Sequence, residues 1–332
     1  MPWLLVRSHS AGTFVWDFQQ ELWPGGRDVL HGVNPYPPLS ELGTGTNFVF
    51  PAPVGLAMAP LALLPLAVAE VVWALVLIAA GLGTIRVLGV RDWRVYGAAF
   101  LWTPVYVAVQ NGNLTLLLAL GTAVAWRYRD RAWICGASVA CLIAAKLFLW
   151  PLLIWLLATR RFRAAAVAFA TALALLGVSF AVVGGLGHYA DVLRELGRLF
   201  DDKSYTPFAL GLELGLSAEV SHLVGYALAA LALIAAAGRR SLVLALTASL
   251  LLSPIVWMHY YALLVVPLAI RSPRFTPLWL LPAVTWLCPS EFNGEPWQTA
   301  LMLGVAAVVV YVSVEGRHAA TLLDRRLGLS SA

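Results

Sequence analysis

Apolar runs of about fifteen to twenty residues, with arginines gathered on every other connection between them, constrain this chain more than any other feature. Segments of this kind cross a hydrocarbon core only as helices or as strands of a closed barrel, because no other backbone satisfies its polar groups there. The runs are rich in Ala, Leu and Val and show no strict apolar–polar alternation, so helices are expected. With 61% hydrophobic and 12% charged residues, the chain is far from the soluble average of about 25% charged. Expected spans are 67–86, 94–109, 113–127, 132–145, 147–159, 164–184, 214–238, 241–253, 260–270, 275–289 and 298–315. This is an all-α polytopic membrane protein with about eleven crossings, some short for a 30 Å core. Residues 51–64, rich in Pro and Ala, are expected as a short helix or re-entrant piece. The organisation is then an acidic loop segment over 1–50, one transmembrane domain over 51–318 and a tail over 319–332. Met1 to Ser10 has no long apolar region of the kind that opens a cleavable signal.

The charges orient these spans. Arg86, Arg91 and Arg94 share one connection, Arg127, Arg129 and Arg131 another, and Arg160, Arg161 and Arg163 a third. Arg239 with Arg240, Arg271 with Arg274, and Arg317 with Arg325 and Arg326 extend the alternation, which places these connections in the cytoplasm. The N-terminus is then outside and the C-terminus inside. The opposite face collects most of the carboxylates, among them Asp17, Glu21, Asp28, Asp201, Asp202, Glu291 and Glu295. The net charge of +5 therefore belongs to membrane orientation, and no nucleic-acid partner is expected. No GxxxxGK[ST] phosphate loop is present. Cys135, Cys141 and Cys288 stand at no metal-ligand spacing and are expected as packing residues.

Several residues on the outer face carry candidate chemistry. Asp17 sits in Val15-Trp16-Asp17-Phe18 and is either a helix cap or, with its pKa raised among apolar rings, a general base. Lys146 is one of two lysines in a chain that otherwise uses arginine, and it falls inside an apolar stretch. It either snorkels to the surface or meets an anionic headgroup or phosphate. His259 follows Ser253-Pro254 and Trp257 at the outer end of a helix pair. Gln110-Asn111-Gly112-Asn113 is a turn whose side chains suit sugar hydroxyls, or simply a polar turn. Glu70 and Trp73, one turn apart, are expected as interfacial packing, and Asp201-Asp202 as solvated acids.

Six fragments in order then resemble glycosyltransferase family 87, polytopic enzymes of the GT-C class. They are Asp17-Phe18; Gly32-Val33-Asn34-Pro35-Tyr36; Phe50-Pro51 through Pro65; Gln110-Asn111-Gly112-Asn113; Gly136, Lys146, Pro151 and Arg160-Arg161; and Ser253-Pro254 with Trp257 and His259. The resemblance implies a GT-C-like helical bundle in an actinobacterial plasma membrane, with the active site extracytoplasmic. It implies transfer of mannose or arabinofuranose from a polyprenyl-phosphate donor to a cell-envelope glycan or glycolipid, with inversion. By that resemblance Asp17 is the base, and Lys146 and His259 hold the donor phosphate. Asn34, Tyr36, Gln110, Asn111, Asn113 and Trp257 contact sugar or acceptor. The resemblance implies no cofactor beyond a divalent metal, which some GT-C enzymes use, although no ligand cluster here demands one. The family usually has a helix before the acidic loop, which this sequence does not show, and Phe18-Gln19 stands where a tyrosine commonly follows the Asp-Phe pair.

A transporter or flippase for a lipid-linked glycan is the rival expectation. It would distribute polar groups toward both faces and show related halves; neither is evident in the sequence. The orientation has a direct test. Single cysteines in a cysteine-free background should be labelled by an impermeant reagent from outside at positions near 40 and 292, and not at 129 or 240; the reverse pattern would overturn the topology.

Overall fold

The computed structural model describes residues 14–43, 47–290 and 292–326, and among these it contains helices and turns but no strand. A π-helical turn, Phe18–Leu22, runs into α1 (Trp23–Leu30). A 3-10 turn at Leu39–Glu41 and an extended stretch lead to α2 (Ala52–Ala62) and α3 (Leu66–Val87). There follow α4 (Trp93–Phe100), α5 (Thr103–Gln110), α6 (Thr115–Arg127) and α7 (Ala132–Ala145). A 3-10 turn at Leu147–Leu149 precedes α8 (Pro151–Ala158), then come α9 (Phe162–Val183) and α10 (Leu186–Phe200). After α11 (Pro207–Glu213), α12 (Ala218–Arg239) and α13 (Leu242–Leu252), a 3-10 run at Met258–Leu264 feeds α14 (Val265–Arg271). A second 3-10 run, Pro277–Leu287, precedes α15 (Pro296–Arg326).

Four of these helices are long and apolar enough to cross a membrane: Leu66–Val87, Phe162–Val183, Ala218–Arg239 and the segment Pro296–Val314. They match four expected spans to within a few residues. The pair α5 and α6 makes a fifth if its 118° bend is counted within one span. The other expected spans are shorter apolar helices such as Ala132–Ala145 and Leu242–Leu252, so eleven separate crossings are not established. The expected span 94–109 is divided because Pro104 has no N–H to give and its ring would meet the carbonyl of Phe100. Proline likewise opens α8 after the break at Lys146, and Pro51 and Pro65 precede α2 and α3. Residues 51–64 form a short helix, as expected. Serine, threonine and aspartate side chains cap α4, α11, α12 and α13, each accepting from a first-turn backbone N–H.

The outer surfaces of α9 and α12 are apolar. Phe169, Leu173, Val178 and Val182 on one, and Leu223, Leu231 and Ile234 on the other, are exposed. In water such faces would drive aggregation; in lipid they need no cover, because the chains around them are equally apolar. Trp93, Trp133 and Phe162 are also exposed and sit beside arginines at helix starts, the arrangement of interfacial anchors.

Four of the basic connections are tied together in two pairs. Arg161 donates to the carbonyl of Arg129 and pairs with Asp130 at 2.8 Å, tying two of them. Asp92 pairs with Arg94 at 2.9 Å and accepts from the Phe275 amide at 2.9 Å, tying two more. A separate set of bonds joins the loops that carry carboxylates: Tyr205 N–H to Val256 O (2.9 Å), Tyr205 hydroxyl to Pro289 O (2.6 Å) and Asn293 N–H to Lys203 O (3.2 Å). Glu291 and the Met1–Ser10 segment lie outside the described residues. Cys135 and Cys288 are buried, but Cys141 is exposed, so packing against the core does not describe it.

Close helix contact needs small residues where no hydrophobic effect pulls helices together. At Gly136 on α7, an added Cβ would lie 2.7 Å from the Ala164 carbonyl and from Val167 on α9. Gly136→Ala should therefore destabilise the protein by about 1–3 kcal/mol through overpacking. Gly97→Ala, in an exposed turn of α4 with open space around it, should be neutral or slightly stabilising. Thermal unfolding in lipid nanodiscs checks both; equal melting of the two variants would overturn the packing account.

Candidate active site

The site begins with a strained backbone. Val15 has φ +48°, a left-handed conformation unfavourable for a β-branched residue, and it turns the chain into the π-helical segment that carries Asp17 and Glu21. Asp17 stands at the N-cap position but its side chain makes no cap bond. Instead its Oδ2 accepts from Asn113 Nδ2 at 2.8 Å, and its backbone N–H donates to the Asn111 carbonyl at 2.6 Å.

Asn111 and Asn113 belong to the sharp break between α5 and α6. Gly112 there has φ +69°, and a Cβ on it would lie 2.9 Å from Val15 and 3.0 Å from Phe18, so the two turns are pressed together. Glu70 and Trp73 on α3 complete the joint. Trp73 donates to the Gly112 carbonyl at 2.7 Å and stacks on Phe18, while Gln19 donates to Glu70 at 2.8 Å. Both residues are buried. They act as fasteners between the acidic turn and the break, and not as interfacial packing.

Lys146 interrupts a helix. α7 ends at Ala145, Lys146 adopts an extended conformation, and the 3-10 turn follows. Its ammonium sits 4.0 Å from the centre of the Phe50 ring and donates to the Tyr260 hydroxyl at 3.0 Å. One of its three donors is thereby used. His259, in the Met258–Leu264 run, is 2% exposed, and neither of its ring nitrogens has a partner among the described residues. It meets Tyr260 edge to face.

These residues line one cavity of about 680 Å³. Asp17, Glu21, Gln110, Asn111 and Asn113 give it a polar wall, with Lys146, His259 and Tyr260 also at its surface. Leu193 and Leu196 of α10, with Leu252, Pro254 and Ile255, add an apolar part. Trp257 lines it too and packs edge-on against Phe200 and Phe292, which stack on each other. Burial raises the Asp17 carboxyl to about 6, against the opposing effects of the Asn113 hydrogen bond and the Lys146 charge. Glu21 is raised well above its ordinary range, by burial first and then by the neighbouring Asp17 charge.

Seven expected site residues thus meet: Asp17, Gln110, Asn111, Asn113, Lys146, Trp257 and His259. Asn34 and Tyr36 do not line the cavity. Asn34 accepts from the Tyr36 amide at 3.0 Å, and the Tyr36 ring packs among Phe48, Phe180 and Tyr189. The Asn-Pro-Tyr stretch is therefore held as a turn supporting the wall, with Tyr189 as the ring between it and the cavity. Glu21 and Tyr260 escaped the sequence reading as site residues. Glu21 was legible as the neighbour of Asp17 one helical turn away; nothing in the sequence singles out Tyr260. Among the described residues no group of three or more His, Cys, Asp or Glu is placed to hold a metal ion.

A helical membrane protein with two half-buried acids, a lysine, and a histidine that has no partner among the described residues, all around one amphipathic cavity, is the class that this fold and site define. The family model for glycosyltransferase family 87 matches residues 48–267, and the chain belongs to that family. Two mycobacterial proteins are similar to it, both named polyprenol-phosphate-mannose-dependent alpha-(1-2)-phosphatidylinositol pentamannoside mannosyltransferase. The one from Mycobacterium tuberculosis is 27% identical over 75% of this chain and 60% of its own length. The one from Mycolicibacterium smegmatis is 28% identical over 78% of this chain and 67% of its own length. The chain thus spans about three fifths of the first relative's length. No solved structure matches.

Proposed function

We propose that this chain is a membrane glycosyltransferase that moves a sugar from a polyprenyl-phosphate donor to a glycan or glycolipid acceptor of the cell envelope, on the extracytoplasmic face of the plasma membrane. The observation that carries the reading is the cavity itself, where a carboxylate and a lysine share a space that is polar on one side and apolar on another. The apolar part suits a lipid chain and the polar wall suits sugar hydroxyls. Of mannose and arabinofuranose, the names of the two mycobacterial relatives favour mannose.

In the proposed reaction the acceptor hydroxyl attacks the anomeric carbon and passes its proton to Asp17. The carbon–oxygen bond to phosphate breaks, and its electron pair leaves with polyprenyl phosphate. A single displacement inverts the anomeric centre. The donor phosphate carries one negative charge as a diester and gains a second as the bond breaks. In this reading Lys146 meets that charge as it develops, supported by its position at the cavity surface, and His259, whose ring nitrogens have no partner among the described residues, lines the same cavity.

Asp17→Asn should lower transfer by about 10²–10⁴-fold, the usual cost of a lost general base, while donor binding persists. Because the base works only when ionised, wild-type transfer should rise as pH climbs through about 6 and fall away below it. Asp28→Asn is the control from the same segment, since Asp28 does not line the cavity; Glu21 does line it and is no control. The assay is transfer of radiolabelled mannose from polyprenyl phosphate in membranes supplied with mannosylated phosphatidylinositol. Near-normal transfer by Asp17→Asn would remove the base assignment.

Lys146→Ala should weaken use of the donor more than it weakens folding, with partial rescue by Lys146→Arg, which keeps the charge but changes its shape. Donor binding and turnover both unchanged in Lys146→Ala would mean that the lysine only snorkels.

A further inference from the structure

We infer that Asn113 is a positioning residue: its side-chain amide, oriented by Thr115, fixes the Asp17 carboxylate in the cavity wall. An amide can be turned either way, so its direction has to follow from its neighbours. Here Asn113 Oδ1 faces the Thr115 backbone N–H at 3.2 Å and the Thr115 hydroxyl at 2.9 Å. A backbone N–H can only donate, so the atom facing it is the oxygen, and the NH₂ group necessarily points at Asp17. Asn113 is 3% exposed and Thr115 fully buried, which keeps water from competing for either group.

The arrangement accounts for most of what the amide can do. Its oxygen accepts two bonds and one of its two N–H groups serves Asp17 Oδ2, so little remains to bind a sugar. That changes the role expected for Asn113 from sequence. With Oδ2 occupied, no described residue donates to Oδ1 of Asp17, and Oδ1 is left as the oxygen for an incoming hydroxyl. The backbone bond from Asp17 to Asn111 makes the attachment two-point, so both the main chain and the carboxylate of the acid are referred to one turn.

The inference rests on the proposed base role of Asp17 only for its effect on transfer; the hydrogen bond can be read without substrate. The titratable groups that line the cavity with Asp17 are Glu21 on its own turn, Lys146 after α7, His259 and Tyr260 in the Met258–Leu264 run, and Tyr189 on α10. All are unchanged in the variants. Infrared difference titration of the full chain in nanodiscs, with the Asp17→Asn spectrum subtracted, isolates the carboxyl band of Asp17. Asn113→Ala removes a donor to the ionised form, so the band's titration midpoint should move up by about one pH unit. Thr115→Val, which deletes one of the two bonds orienting the amide, should move it in the same direction by less, and Thr115→Ser should restore the wild-type midpoint.

An unmoved midpoint in Asn113→Ala overturns the inference. Should that variant not fold, an unmoved midpoint in Thr115→Val does so. In the transfer assay, Asn113→Ala should lower kcat and shift the acid limb upward with little change in KM for acceptor. A change confined to acceptor KM would return Asn113 to the role of a sugar-binding residue. If Asp17→Asn remains active while the infrared shift is seen, the base reading fails and the positioning of the carboxylate stands.

Discussion

Much of this structure depends on how the chain satisfies the break between α5 and α6. A 118° turn inside an apolar bundle strands backbone groups that lipid cannot serve. Three are closed locally, by the amides of Asn111, Gly112 and Asn113 donating back to Val107, Val109 and Ala108. The carbonyls point away from the helix and need partners from elsewhere. Asn111 O takes the amide of Asp17, and Gly112 O takes the indole of Trp73. What binds the acidic turn to the bundle is thus in part the unsatisfied backbone of a broken helix, beside the Gln19–Glu70 bond and the stacking of Phe18 on Trp73. The acid is placed by the same bonds that make the break tolerable.

That coupling also shapes the cavity. A carboxylate cannot sit in an apolar wall without donors, and a lysine cannot sit there without electron-rich neighbours. Asn113 supplies the first, and the Phe50 ring with the Tyr260 hydroxyl supplies the second. The two charges share one cavity without being paired at contact distance, so each keeps capacity for something that enters. Had they formed a direct salt bridge, each would have spent its bonds on the other.

The sequence showed its long helices well and its breaks poorly. Leu66–Val87 and Phe162–Val183 are long, mostly apolar stretches that start after Pro65 and Arg161 and end at the Arg86-Val87 turn and before Gly184, and each boundary has a local physical cause. The division of 94–109 at Pro104 was equally local, but hydropathy averaged over a window hides one residue. Of the site, Asp17, Lys146 and His259 were legible because a charge or a lone titratable group in grease is costly and therefore conspicuous. Tyr260 was not, since an aromatic residue in a membrane protein is ordinary. Glu70 and Trp73 were seen but given the wrong part, because their partners Gln19 and Gly112 lie 51 and 39 residues away and only the fold brings them near. The same limit hid the retirement of Tyr36 into the Phe48, Phe180 and Tyr189 cluster.

The candidate chemistry lies where regular structure stops. Asp17 follows a left-handed valine, Lys146 stands in extended backbone between an α-helix and a 3-10 turn, and His259 lies in a 3-10 run after the Ser253 corner. In a continuous helix the backbone is fully satisfied within the segment, and a side chain can only project sideways into lipid or a neighbouring helix. A break turns the chain end-on, so that its side chains and stranded amides converge on a common point. Keeping such a point open requires enough polar lining to hold its own charges and enough helix around it to exclude lipid. Leu193 and Leu196 of α10, with Leu252 of α13, serve the second need on the apolar side, and the joint between the acidic turn and the α5–α6 break meets the first. The helices therefore serve the cavity chiefly as walls, and the irregular segments between them hold the groups that the proposed reaction uses.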